Sequence, residues 1–195
     1  MSDYKFKKYD FEKPSFLFIF EDILKSFLGG PLLYNPYIKS FRIKGNERIL
    51  DFGCGGGIGS RCIAKKLSKD GFLTCVDTSN FWMKKAEKRL RKYNDVEFKT
   101  GDITKLDIPD SSYDIVSIVH VIHDIEPELR QDTVNSLAAK LKEDGKLFII
   151  EPTKTSHGMP LEEIRTLMSN AGLVEINNSI KKSSYRGEFT KSNTV

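Results

Sequence analysis

Residues 49–60, Ile-Leu-Asp-Phe-Gly-Cys-Gly-Gly-Gly-Ile-Gly-Ser, restrict the possible folds of this chain more than any other stretch. The apolar run Ile49 to Phe52 reads as a buried parallel strand. The glycines at 53 and 55–57 are unsuited to a helix interior, and a helical pattern resumes at Ile58. The order is therefore strand, glycine turn, helix start. Glycine is required where a ligand must lie against backbone that no Cβ shields, and where the helix must leave close to the strand end. The dinucleotide fingerprint Gly-x-Gly-x-x-Gly fails in every register, because its last position falls on Ile58 counted from Gly53 and on Ser60 counted from Gly55. What remains is Asp51-x-Gly53-x-Gly55-x-Gly57.

Strands and helices alternate downstream of this turn. Ile58 to Ser68 predicts a helix, Phe72 to Val76 a strand ending at Asp77, and Thr78-Ser79-Asn80 a cap. The capped helix has Trp82, Met83, Ala86, Leu90 and Tyr93 on one face. Val96 to Lys99 predicts a third strand followed by Gly101-Asp102. The continuous apolar run Ile115 to Val121 predicts a central parallel strand. Leu129, Val134, Leu137 and Leu141 predict a helix, Glu143-Asp144-Gly145 a turn, and Lys146 to Ile150 a fifth strand that Pro152 stops. Leu161, Ile164, Leu167, Met168 and Ala171 form an amphipathic helix. The strands Leu173–Ile180 and Tyr185–Thr190 follow, with a connection too short for a crossover, so they pair antiparallel. The pattern is that of an α/β fold with a mostly parallel sheet covered by helices on both faces.

Ahead of the turn, residues 1–14 read as a flexible tail and residues 15–44 as a helical extension. Residues 45–195 form the main domain. In the extension, Phe16, Phe20, Ile23, Leu24 and Phe27 share an arc that Gly29-Gly30-Pro31 ends. This apolar helix serves as a docked flank, a lid over a substrate or a surface for oligomerisation. The run Phe16 to Phe20 is too short to span a membrane, and the charged first residues do not form a signal peptide. Cys54, Cys62 and Cys75 show no ligand-like pairing and read as buried free thiols. These features point to a soluble, cytoplasmic protein, and no metal is called for. A net charge of +4 with interspersed signs, and a Lys84 to Lys92 run read as a solvated helix face, disfavour nucleic acid as a partner.

The turn resembles the first motif of the class I, Rossmann-like S-adenosylmethionine-dependent methyltransferases. Asp77 and Gly101-Asp102-Ile103 are similar to the family's next two motifs, and the antiparallel ending matches its fold. The resemblance covers about residues 46–190. It implies a doubly wound Rossmann-like, mostly parallel seven-stranded sheet with the last strand antiparallel and helices on both faces. The implied cofactor is S-adenosyl-L-methionine, with S-adenosyl-L-homocysteine as product. The implied cofactor-binding residues are Asp51, Gly53, Gly55, Gly57, Asp77, Thr78, Asp102, Ile103 and His120. Asp77 accepts from the ribose hydroxyls, Asp102 from the adenine amino group, and Asp51 offsets the cofactor's positive charges. Each acid also has a local reading: Asp77 begins a helix cap, and Asp102 sits in a turn.

The stretch His120-Val-Ile-His123-Asp124-Ile-Glu126-Pro-Glu128 is similar to the His-Asp-Trp-x-Asp-Glu segment of small-molecule O-methyltransferases. By that match His123 is the general base and Glu151, ending the fifth strand, orients its imidazole. Ile125 replaces the tryptophan, and Glu126-Pro127 breaks the acidic pattern. His123 is thus also readable as packing under the cofactor or bonding backbone, and His157, in the Thr153 to Pro160 loop, reads as an exposed loop residue, with a substrate contact as the alternative. Asn35-Pro36-Tyr37 is similar to the Asn-Pro-Pro-Tyr loop of amino-methylating nucleic-acid enzymes, but it lacks a proline and precedes the turn, so it reads as an ordinary turn. The expected activity is methyl transfer to oxygen, nitrogen or carbon of a small-molecule substrate. RNA or protein methylation and a non-catalytic, cofactor-binding regulatory partner are the alternatives, and the glycine spacing disfavours an NAD oxidoreductase.

Overall fold

The computed structural model describes residues 10–24 and 34–192. The expected helix end at Gly29-Gly30-Pro31, the Phe27 contact and residues 1–9 of the expected tail lie outside the described residues. Two compact units are resolved: residues 10–102, and the chain from Ile103 onward.

The first unit contains helices α1 (Phe16–Leu24), α2 (Asn35–Ser40), α3 (Ile58–Ala64) and α4 (Asn80–Leu90), with strands β1 (Arg48–Phe52), β2 (Phe72–Asp77) and β3 (Val96–Thr100). β2 pairs in parallel with β1, Ile49 opposite Leu73 and Phe52 opposite Val76, and also with β3, Asp77 opposite Thr100. Ile49, Leu50, Leu73, Cys75 and Val76 are fully buried, which is why β1 and β2 lack alternation. Each such side chain contributes about 1.5–3 kcal/mol of hydrophobic stabilisation. α4 is capped by Ser79, whose hydroxyl accepts from the Trp82 N–H at 3.3 Å, and it buries Trp82, Met83, Ala86 and Leu90 as its period requires.

Three expectations in this unit need correction. The helix expected to reach Ser68 stops at Ala64, because Ser68 instead bonds Gly45: its N–H and its hydroxyl donate to the Gly45 carbonyl at 2.8 and 3.0 Å. Asn35-Pro36-Tyr37 opens α2 rather than a plain turn. Pro36 falls in the first helical turn, where its missing N–H has no partner to lose, and Tyr37 and Ile38 are buried. Of the expected tail, residues 10–13 lie on the start of α4: the Ser79 hydroxyl donates to the Phe11 carbonyl at 2.9 Å, and Asn80 N–H donates to Glu12 Oε1 at 2.6 Å.

The second unit contains β4 (Tyr113–Val119), a 3-10 turn (Ile122–Asp124), α5 (Pro127–Lys140), β5 (Leu141–Lys154), β6 (His157–Gly158), α6 (Leu161–Asn170), β7 (Leu173–Lys181) and β8 (Ser184–Lys191). β4 and β5 are parallel. β8 is antiparallel to both β5 and β7 and lies between them, giving the order β4-β5-β8-β7. The last strand is therefore the antiparallel one, as expected.

β5 is longer than its sequence suggests. The turn expected at Glu143-Asp144-Gly145 is an irregularity inside it, where Tyr113 opposes Leu141 but Ile115 already opposes Lys146. Pro152 does not stop it either, because the ladder bypasses the missing donor. Pro152 faces Ser184, the Thr153 N–H donates to Ser183 O at 2.8 Å, and the Pro152 carbonyl accepts from Met159 N–H at 3.0 Å. The strand then folds back through β6, with Lys154 opposite His157 and Thr153 opposite Gly158. Gly158 is obligatory there: its φ is +152°, and a Cβ would clash with the Pro152 carbonyl. In α5, Leu129 is 52% exposed, and Leu141 belongs to β5. The buried face is instead Arg130, Thr133, Val134, Leu137 and Ala138.

Candidate functional site

In the first unit the glycine turn is clasped by the ends of β1 and β2. The N–H groups of Gly53 and Cys54 donate to the Val76 carbonyl at 2.8 and 3.0 Å. Gly55 N–H donates to Asp77 Oδ2 at 2.8 Å, while Asp77 Oδ1 accepts from Ser79 N–H at 2.9 Å. One carboxylate thus ties the turn to the cap of α4, so the local and ligand-binding readings of Asp77 share the same geometry. Burial pushes the Asp77 carboxyl above the ordinary range, outweighing the backbone donors that favour its ionised form. Asp51 is buried at the end of β1 and accepts from the Ser60 hydroxyl at 2.6 Å.

Gly57 has φ +76°, and a Cβ would stand 3.0 Å from the Ala86 backbone, so its bareness lets α3 pack on α4. Gly55 differs. Its φ is +50°, and no atom of the described residues lies within 4 Å of the position its Cβ would take. That open backbone face beside the half-buried Asp77 carboxylate fits a ligand with hydroxyls to share and a flat body to lay on the turn. Thr78 is exposed just past Asp77. Asp102 is half-buried directly after Gly101, whose N–H donates to the Asp77 carbonyl at 2.9 Å. Ile103, in the other unit, is buried.

Three residues at this turn escape sequence reasoning. Arg89 lies in the run read as a solvated face, yet it donates to the Gly56 carbonyl and, at 3.1 Å, to Asp22 of α1. The Tyr34 ring is 3.3 Å from where a Gly59 Cβ would stand. Burial, then the Asp51 and Asp22 carboxylates, raise the Tyr34 hydroxyl pKa. Only the i, i+3/i+4 position of Arg89 relative to Lys85 and Ala86 hints that it reaches inward; Tyr34 and Asp22 carry no such signal.

In the second unit His123 and Glu151 come together. Glu151 is fully buried at the end region of β5. Its Oε1 accepts from the N–H groups of Val121 and Ile122 at 2.9 and 2.8 Å, and its Oε2 from His123 Nδ1 at 2.6 Å. That bond places the mobile proton on Nδ1 of a neutral imidazole and leaves the Nε2 lone pair outward. Burial lowers the His123 pKa, but the Glu151 bond and charge, with Asp124, more than compensate and hold it above the usual imidazole range. His120 is exposed in the left-handed region at φ +57°, a costly conformation for a non-glycine residue, with its ring 6.5 Å from that of His123.

His157 is exposed, as a loop residue would be, but the β5–β6 hairpin returns it over His123, with Nε2 atoms 3.1 Å apart and rings edge to face at 4.6 Å. Arg130 is the other missed residue. It is buried, with Nε donating to Ile125 O at 3.0 Å, NH2 to His123 O at 3.1 Å and NH1 to Glu163 at 2.5 Å. It braces the turn that carries His123. The signal for His157 is the Pro152 to Gly158 spacing of a tight hairpin. Arg130 has none, being a charged residue at a buried helix position.

A methyltransferase-domain family model matches residues 49–145. A demethylmenaquinone methyltransferase of Lactobacillus johnsonii is 27% identical over 124 residues, 62% of this chain and 50% of that protein. A ubiquinone/menaquinone biosynthesis C-methyltransferase of Ectopseudomonas mendocina is 27% identical over 146 residues, 72% of this chain and 56% of that protein. The chain therefore spans about half the length of the curated relatives it matches. Among solved structures, a SAM-dependent methyltransferase from Aquifex aeolicus aligns with TM-score 0.71 at 18% identity, over 93% of this chain and 98% of that one.

Proposed function

Because the chain belongs to the class I, Rossmann-like S-adenosylmethionine-dependent methyltransferases, we propose that it transfers a methyl group from S-adenosylmethionine to oxygen, nitrogen or carbon of a small-molecule acceptor. The observation that carries this reading is the Asp77 carboxylate bonded to Gly55 N–H at 2.8 Å beside an open, positive-φ glycine face. Asp77 accepts from the ribose hydroxyls, the glycine turn lies under the ligand, Asp102 meets the adenine amino group, and Asp51 faces positive charge. Thr78 joins this set from the same unit, and the family resemblance alone adds Ile103 and His120. Bound there, the cofactor supplies a carbon already activated by a sulfonium, so the residues orient the acceptor and exclude water.

His123 takes the acceptor's proton at Nε2, and Glu151, fixed by two backbone donors and by Nδ1–H, holds the ring in the required tautomer and stabilises the imidazolium that forms. The relatives are named for demethylmenaquinone and for ubiquinone/menaquinone biosynthesis, which supports a small organic acceptor. The modest charge of +4 supports the same choice over RNA. The test is turnover against a panel of small hydroxyl, amine and quinol acceptors with methyl-labelled cofactor. His123→Ala is expected to lower turnover about 10²–10⁴-fold while keeping S-adenosylhomocysteine affinity; unchanged turnover removes the base role. Cofactor binding with no transfer to any acceptor favours a regulatory partner.

A further inference from the structure

His123 Nε2, His157 Nε2 and an Asp124 carboxylate oxygen all lie within 4.8 Å of one another, in one unit and from two short segments. His123 and Asp124 are neighbours on the 3-10 turn, and the β5–β6 hairpin brings in His157. We propose that these three side chains form a binding site for a divalent first-row transition cation, with zinc as the reference ion. The inference goes beyond the methyl-transfer reading and does not depend on it.

Three features support it. The first is distance. Two imidazole nitrogens each 2.0–2.1 Å from a tetrahedral zinc stand about 3.3 Å apart, and the Nε2 atoms here are 3.1 Å apart, with Asp124 Oδ1 3.5 Å from His123 Nε2. The second is the outer partner. His123 donates its other ring N–H to Glu151 at 2.6 Å, the carboxylate–histidine arrangement that fixes a metal-binding tautomer with Nε2 as ligand, and Glu151 is itself held by two backbone donors. The third is charge. Asp124 and Glu151 bring two carboxylates to a half-buried cluster, and Arg130, which reaches its backbone, is paired with Glu163; a divalent ion balances both carboxylates. The exposed His157 gives the ion a route in from solvent. Three protein ligands leave a fourth position for water or for an acceptor's oxygen. The sequence gives no warning of this, since an adjacent His-Asp pair and a histidine 34 positions on match no metal spacing.

A metal on His123 Nε2 takes the lone pair that proton abstraction needs, so the base and the metal-bound form are alternative states of one imidazole. The test uses the full chain, free of any histidine tag and stripped with chelator, titrated with zinc chloride by calorimetry and with cobalt chloride by visible absorption. The expected result is one equivalent bound, with a cobalt spectrum of low coordination number. Binding should be weakened at least tenfold by His157→Ala and by Asp124→Asn, and 10–100-fold by Glu151→Gln, which removes no ligand. Absence of stoichiometric binding, or wild-type affinity in both His157→Ala and Asp124→Asn, overturns the site and leaves the 3.1 Å contact as a hydrogen bond. His157 is exposed, so its variant should keep the fold, checked by circular dichroism. S-adenosylhomocysteine binding, measured separately on the same samples, keeps the two readings apart. Zinc bound without the nucleoside sinks the cofactor assignment alone, and the reverse sinks the metal site alone.

Discussion

Asp77 carries the most functional weight of any single residue, because two chemistries meet in its carboxylate. It holds the glycine turn through Gly55 and the α4 cap through Ser79, and in the proposed function it accepts from a ribose. A carboxylate is needed for all of these, and hydrogen bonds to charged groups contribute about 1.5–3 kcal/mol. Asp77→Asn should therefore weaken S-adenosylhomocysteine binding by roughly 10–100-fold. The sign with pH follows from burial. The folded carboxyl titrates above its unfolded value, so its contribution to stability is present at low pH and is lost as pH rises through the raised pKa. Binding behaves oppositely, since it needs the ionised form. Affinity should decline on acidification at a higher pH than an ordinary aspartate would set, and calorimetry across pH should show that decline vanish in Asp77→Asn.

At the scale of elements, the readable signals were those that arise within one segment. The period-2 and period-3.6 patterns placed β1, β2, α4 and the β7–β8 hairpin, because burial on one face or both leaves a local imprint on sequence. What was not legible depended on contacts between distant segments. Ser68 leaves α3 for Gly45, and Pro152 stays in β5 because Met159 and Ser183 take over its ladder. Arg130 is buried because carbonyls from the 3-10 turn meet it. α5 gives the sharpest test, since its sequence pattern names Leu129 as core and the structure names Arg130. Arg130→Ala strands the carbonyls of His123 and Ile125 and should cost about 3 kcal/mol in urea unfolding. Leu129→Ala, at 52% exposure, should fall within about 0.5 kcal/mol. Equal costs would contradict the observed packing.

For the whole molecule, the alternation of elements and the family resemblance anticipate a mostly parallel sheet with β8 antiparallel, whereas the strand orders β3-β2-β1 and β4-β5-β8-β7 come from the structure. No helix among the described residues is long and apolar enough to cross a membrane. The backbone of the glycine turn is legible in the sequence, because the positive φ of Gly53, Gly55 and Gly57 calls for glycine, whereas Arg89, Asp22 and Tyr34, which meet the turn from other segments, are not. The histidine cluster is half legible: His123 follows the end of β4 and Glu151 lies in β5, both on elements the sequence pattern marks, whereas His157 reaches the cluster through a hairpin whose local signal is no more than the Pro152 to Gly158 spacing.

The central claim is that the glycine turn with Asp77 and Asp102 receives an S-adenosyl nucleoside, and thermal unfolding of the full chain with added ligands tests it most directly. A ligand at 100 times its Kd stabilises by about 2.7 kcal/mol, which for a chain of this size raises the Tm by roughly 5–10 °C. S-adenosylmethionine and S-adenosylhomocysteine should both produce such a shift, with NAD producing none and Asp77→Asn losing most of it. A shift with NAD and none with either S-adenosyl compound would contradict the account.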